Sequence, residues 1–204
     1  MSILDRVLAS ANVYQSSRKL IGAHREMQLM VERLVKPLPG QSVLDFGCGN
    51  GRLVPFLPEV NYIGVDNNAS YIAQATIEHG GPKVRFICGD LFELSKLDIE
   101  PVDAVVSIGV LHHLDDEVAR VAVASALSIL KPDTGRLFTM DPCFEPTQHT
   151  IARVLMAMDR GRFVRHPADY VRLVERAGGQ TASEIWTDVY RFPYTHCVQT
   201  VAAA

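Results

Sequence analysis

Ser42–Arg52 reads SVLDFGCGNGR, and it decides the fold. Ser42 to Leu44, with Phe46, are strand-forming positions that run straight into glycines at 47, 49 and 51. The pattern predicts a buried strand ending in a tight loop with little side-chain bulk. Glycine reaches backbone angles closed to other residues and lets a ligand approach the main chain. A dinucleotide fingerprint, G-x-G-x-x-G, requires glycine where this chain has Arg52, and no G-x-x-x-x-G-K-[ST] string occurs. The loop therefore suits a nucleoside-bearing cofactor better than a pyrophosphate.

Outward from that loop, apolar strands alternate with helical stretches. Strands are predicted at Tyr62–Val65, closed by Asp66, at Val84–Cys88, followed by Gly89-Asp90, at Val102–Ile108 and at Arg136–Met140. Helical spacing predicts helices over about 17–35, Asn67–His79, Asp116–Leu130, 147–159 and, after Pro167, Ala168–Ala177. Near-continuous apolar strands between helices imply an α/β, Rossmann-like, mostly parallel sheet covered on both faces. At the end, Ser183–Phe192 and Thr195–Ala203 read as two strands joined by Pro193-Tyr194, a tight link that implies antiparallel pairing. One domain over 1–204 is expected, with a helical cap at 1–36 and an acceptor-side insertion at 145–166.

Bulk properties exclude several function classes. The 204 residues are 48% hydrophobic and 21% charged, with net charge -3, which gives no electrostatic reason to expect nucleic acid or an anionic membrane as partner. The four cysteines are widely spaced without a C-x-x-C pair, so no zinc site is expected, and free thiols point to a cytoplasmic protein. The N-terminal stretch makes a poor signal peptide, and no run of 18 apolar residues suggests a transmembrane span.

In an open parallel sheet, ligands sit beyond the carboxyl ends of the strands. Asp66, ending the second strand, can accept two hydrogen bonds from a ribose diol; its bland alternative is a helix cap. Asp90 can accept from an adenine amino group beside Leu91 and Phe92, or cap a helix. Asp45 lies inside the first strand, where a charge is costly unless bonded. Loop amides are its expected donors, and an ammonium group its expected ligand.

These pieces together resemble the class I S-adenosylmethionine-dependent methyltransferases. The matching strings are VLDFGCGNG at 43–51, YIGVDNN at 62–68, FICGDL at 86–91, DAVVSIGVLHHLDD at 103–116 and LKPDTGRLFTMDP at 130–142. The resemblance implies a seven-stranded sheet with an antiparallel last strand beside the fifth, and S-adenosyl-L-methionine as cofactor. It sets Asp45, Gly47, Cys48 and Gly49 against the methionine portion, Asp66 at the ribose and Asn67 beside the adenine. Asp90 and Leu91 would meet the base, and Ile108 and His113 would flank the cofactor. The tail strings MDRGRFVRHPADY at 158–170 and RFPYTHCVQTV at 191–201 resemble, more weakly, bacterial methyltransferases of sugar and secondary-metabolite pathways.

Methyl transfer is an in-line displacement, so the protein must align a nucleophile, exclude water and, where needed, take one proton. His112, His113 and His149 are the candidate bases, because histidine titrates near neutrality. Tyr14 and Arg18 are candidates for the sulfonium and carboxylate ends of the cofactor. Arg160, Arg162 and Arg165 suggest an acceptor bearing carboxylate or phosphate, set against a solvated basic face as the plain alternative. Asp141, Tyr194 and His196 complete the expected acceptor side. No metal is expected, and the assembly is expected to be a monomer or homodimer. A scaffold that binds the cofactor without turnover is the rival reading. A nicotinamide-dependent reductase is disfavoured by Arg52 and the terminal hairpin. Nucleic-acid methylation is disfavoured by the lack of a basic surface and of an N-P-P-Y string.

Overall fold

The computed structural model describes residues 24–157 and 162–203. Its centre is a seven-stranded sheet of order β3-β2-β1-β4-β5-β7-β6. The strands are β1 (Ser42–Phe46), β2 (Asn61–Asp66), β3 (Val84–Cys88), β4 (Ala104–Ile108), β5 (Arg136–Pro142), β6 (Gly179–Trp186) and β7 (His196–Ala203). Neighbours from β3 through β5 pair in parallel, with Asp45 opposite Gly64 and Ile108 opposite Met140. β7 runs antiparallel to both β5 and β6, placing Cys197 opposite Asp141 and opposite Ile185.

Two-residue alternation divides the strands between two cores. Leu44, Phe46, Val105 and Leu137 turn to one face, where α3 (Asp116–Ser128) supplies Ala119, Ala122, Val123 and Ala126, and α5 (Pro167–Arg176) supplies Tyr170, Leu173 and Val174. Val43, Val106, Phe138 and Met140 turn to the other, against Met27 and Met30. Met27 lies on α1 (Arg25–Leu29), and Met30 opens a π-helical turn over Met30–Val35, which stops at Lys36 in the left-handed region, φ 45°. α2 (Ala69–His79) starts where the Asn68 side chain accepts from the amides of Ser70 and Tyr71, at 3.0 and 3.2 Å. α3 starts likewise, with Asp115 accepting from Val118 N at 2.9 Å. α4 (Thr150–Ala157) follows β5.

The expected architecture holds, with one revision at the last pair: β6 covers Gly179–Trp186 and not Ser183–Phe192. β6 ends at Trp186 and β7 begins at His196, so 187–195 is a long connection and not a Pro-Tyr turn. Aromatic and β-branched residues such as Val189, Tyr190 and Phe192 have strand propensity, but their rings gather into a cluster instead of entering the ladder. The strand order reverses between β1 and β4, which opens a crevice at their carboxyl ends.

Candidate active site

The loop after β1 is held against β2 by its own backbone. Gly47 N and Cys48 N both donate to the Val65 carbonyl, at 2.9 and 3.1 Å. Gly47 has φ +78°, and a Cβ there would lie 2.8 Å from Val110 Cγ2, so this position needs glycine both for its angle and for the approach of the loop after β4. At Gly49, φ +53°, the space a Cβ would enter is open. The Cys48 thiol is buried and points back to the Gly49 carbonyl at 3.5 Å; burial pushes its ionisation far above the ordinary thiol value, so it is no nucleophile.

Asp66 at the tip of β2 locks this turn. Its Oδ2 accepts from Gly49 N at 2.9 Å and its Oδ1 from Asn68 N at 2.8 Å. Each carboxylate oxygen keeps a second acceptor direction, so both can still meet a vicinal diol. Asn67 is exposed beside it. Asp90 is exposed at the end of β3 and caps a 3-10 turn over Leu91–Lys96 by accepting from Phe92 N at 2.8 Å. Leu91, half-buried, reaches within 3.8 Å of the Cβ position of Gly47. Ile108 is half-buried at the end of β4, and the His113 ring lies 4.0 Å from that of His112.

Asp45 differs from expectation. Its donor is the Tyr62 hydroxyl, 2.7 Å from Oδ2 across the β1–β2 pair, and not a loop amide. The strand turns the side chain into the sheet face, away from the amides beyond it. Burial raises its carboxyl to about 7, against the opposing pull of the Tyr62 bond and the Arg52 charge.

At the next strand tips, His112 Nδ1 lies 2.8 Å from Asp141 Oδ1, and His112 N donates to the same oxygen at 3.1 Å. Both side chains are buried, and Asp141 Oδ2 has no hydrogen-bond partner among the described residues. The pair clamps the end of β5 to the turn after β4. Asp141, expected on the acceptor side from its place at the end of β5, is buried and drawn toward His112.

Arg165 also departs from the expected acceptor role. Its guanidinium is buried, 2.8 Å from Asp116 Oδ1, and donates to the carbonyls of Leu111, Phe163 and Leu114 at 2.9, 3.0 and 2.7 Å. Four of the five N–H donors of the fork are thus spent on the protein itself, and the side chain braces the chain around it. Arg162 is exposed and stands outside the cavity described next. Tyr14, Arg18 and Arg160 lie outside the described residues.

A cavity of about 610 Å³ opens between the segment after β5 and the 187–195 connection. His149, Ala152, Tyr190, Phe192 and Tyr194 are among its walls. His196 stands behind them, buried, with its ring 5.2 Å from Tyr190 and 5.1 Å from Tyr194, so it supports the wall and does not line it. Glu26 joins this region to the glycine loop: its carboxylate accepts from the Tyr190 hydroxyl and lies 3.4 Å from Arg52. Glu26 and Tyr190 are 164 positions apart, and no sequence pattern pairs them. Among the described residues no group of three or more His, Cys, Asp or Glu is arranged to hold a metal ion, and no helix is long and apolar enough to cross a membrane.

A parallel sheet closed by an inserted antiparallel β7, with a glycine turn and an acidic β2 tip at its reversal point, is the architecture of class I methyltransferases. Residues 43–133 match the family model described as a methyltransferase domain. That stretch is just under half of the chain, and together with the fold it makes the chain similar to the class I S-adenosylmethionine-dependent methyltransferases. An uncharacterized methyltransferase of Bacillus pumilus (strain SAFR-032) is 34% identical over 108 residues, 52% of this chain and 49% of the relative. One from Geobacillus sp. (strain WCH70) is 32% identical over 132 residues, 64% of this chain and 60% of the relative. The chain thus spans only about half to three fifths of the length of these relatives. Among solved structures, magnesium protoporphyrin IX methyltransferase from Synechocystis PCC 6803 with bound SAH shares the fold at TM-score 0.70 and 21% identity, over 98% of this chain and 93% of that one.

Proposed function

We propose that this protein binds S-adenosyl-L-methionine in the crevice between β1 and β4 and methylates a small molecule on oxygen or nitrogen. The observation that carries this is the Asp66 carboxylate, which pins the Gly49 amide at 2.9 Å while keeping acceptor capacity for a ribose diol. The open space over Gly49 fits such a group. The Synechocystis methyltransferase, solved with SAH, supports the same choice of cofactor.

In this reading Asp66 holds the ribose, Asp90 and Leu91 meet the adenine beside Asn67, and Asp45 receives the ammonium. Ile108 and His113 flank the site. When bound, S-adenosylmethionine supplies a methyl group whose carbon–sulfur bond breaks with its electron pair left on sulfur, as a bond to the acceptor forms. The walls after β5 exclude water and orient that acceptor. His149 lines the cavity, so it takes the proton that the acceptor releases. His112 and Asp141 act behind it as a brace between two strand tips.

Titration calorimetry tests the reading. The protein is expected to bind S-adenosylmethionine and its demethylated product and to ignore NADH. His149→Ala is expected to lower turnover about 100-fold with cofactor affinity unchanged. Binding without turnover on any acceptor favours the scaffold, and folded protein that binds neither sulfur compound defeats the proposal.

A further inference from the structure

We propose that the acceptor is an aromatic molecule, a flat ring system carrying a hydroxyl or amine, and not a sugar phosphate. This rests on reading the cavity after β5 as the methyl-acceptor site and names the chemistry of what enters it. The volume, about 610 Å³, is that of a small-molecule site, which is usually a mostly apolar concavity with a few placed polar groups.

The wall is built from rings. Tyr190 and Phe192 stack at 5.1 Å with planes 15° apart, and Tyr194 meets them edge-on at 5.5 and 5.9 Å. Stacked and edge-to-face rings of this kind favour another aromatic partner by about two- to twelve-fold in affinity beyond the area buried. The cluster is held from behind by His196 and tethered by the Tyr190 hydroxyl to Glu26, so its faces are set before a ligand arrives. Ile185, Ala152 and Pro193 extend the apolar lining.

Charge argues in the same direction. A phosphate needs convergent cations. Among the described residues the only Lys or Arg lining the cavity is Arg191, set against Glu145 on the opposite wall. Glu145 is held ionised by hydrogen bonds from the Thr147 hydroxyl and amide, which keep its carboxyl below the usual range. Arg165, expected on the acceptor side, is engaged by Asp116 and three carbonyls and does not line the cavity. The lining is thus aromatic and close to charge-balanced.

The full chain is titrated by calorimetry with 2-naphthol and with glucose 6-phosphate, each with and without saturating SAH. The expected result is binding of 2-naphthol and none of glucose 6-phosphate. Phe192→Leu keeps the volume and removes the ring; it is expected to weaken 2-naphthol about five-fold and leave SAH affinity unchanged. Unchanged SAH affinity certifies the fold of the variant, and Tyr194→Leu serves as a second test of the same wall. Glucose 6-phosphate binding that Arg191→Ala abolishes overturns the proposal, as does failure of 2-naphthol to bind in both series. Loss of SAH binding alone strikes the donor reading, and the 2-naphthol series without SAH then decides this one.

Discussion

The two edges of the sheet carry carboxylates in different company. At the edge where the parallel strands begin, Asp103 receives both of its contacts to Lys131 Nζ at 2.8 Å, and Ser42 N and Oγ donate to it at 2.8 Å. Burial pushes this carboxyl up, but the bonds from Lys131 and Ser42 together outweigh it and hold it below the usual range. At the edge where those strands end, Asp45, Asp66, Asp90 and Asp141 gather with a tyrosine hydroxyl, backbone amides and one histidine as donors. A carboxylate matched by a fixed cation closes its end of the sheet. Asp66 and Asp90, held only by backbone amides, keep acceptor directions open to something that arrives from outside.

That contrast can be broken most sharply at His112. His112→Ala removes the partner of a buried carboxylate and is expected to cost about 3 kcal/mol of stability, read as a fall in the denaturant midpoint. If the variant keeps its stability and loses turnover, His112 is the base and not a brace. Asp66→Ala comes next: cofactor affinity is expected to fall about 100-fold by calorimetry, the loss of charged hydrogen bonds to a diol. An unchanged affinity would remove Asp66 from the ribose.

Asp45 sharpens the comparison through pH. Its native carboxyl titrates near 7, above the ordinary 3.8, so between those values the native state keeps a proton that the unfolded chain has lost. Its contribution therefore makes stability fall as pH rises through that window and level off above it. An incoming ammonium favours the ionised form, so cofactor affinity should rise from pH 6 to pH 8 with release of a proton. Calorimetry in two buffers of different ionisation heat reads that proton; identical heats would count against the ammonium contact. Asp45→Asn is expected to flatten the pH dependence and cost about ten-fold in affinity at pH 8.

The smallest effect belongs to the other edge. Lys131→Ala, whose side chain is 44% exposed, is expected to cost about 1 kcal/mol or less and to leave cofactor binding untouched. Asp103 has the opposite sign from Asp45: its lowered carboxyl stabilises the fold above about pH 4, and that stability is lost as pH falls through its native value.

What the chain announces about itself is local. The run into Gly47, the acidic ends of β2 and β3, and the strand periodicity are each contained within a few consecutive residues, so spacing and propensity suffice to read them. What it conceals is assembled across distance. Asp141 meets His112 from 29 positions away, and a TMDP string cannot show which way its carboxylate turns. Arg165 sits in a basic run that reads as surface, but two of its carbonyl partners, Leu111 and Leu114, lie just after β4. The aromatic residues of 187–195 have the propensity of a strand, and only their mutual packing shows them to be a wall.

The place of β7 has a consequence for how the molecule comes into being. β6 precedes it in the chain yet, among the described residues, hydrogen-bonds to no other strand, and β5 is left with an open side until residues 196–203 arrive. During synthesis the first five strands can register with one another, while β6 must wait unpaired for the segment that follows it. The far flank of the sheet, and the aromatic wall carried by the loop between β6 and β7, are thus the last parts to be secured.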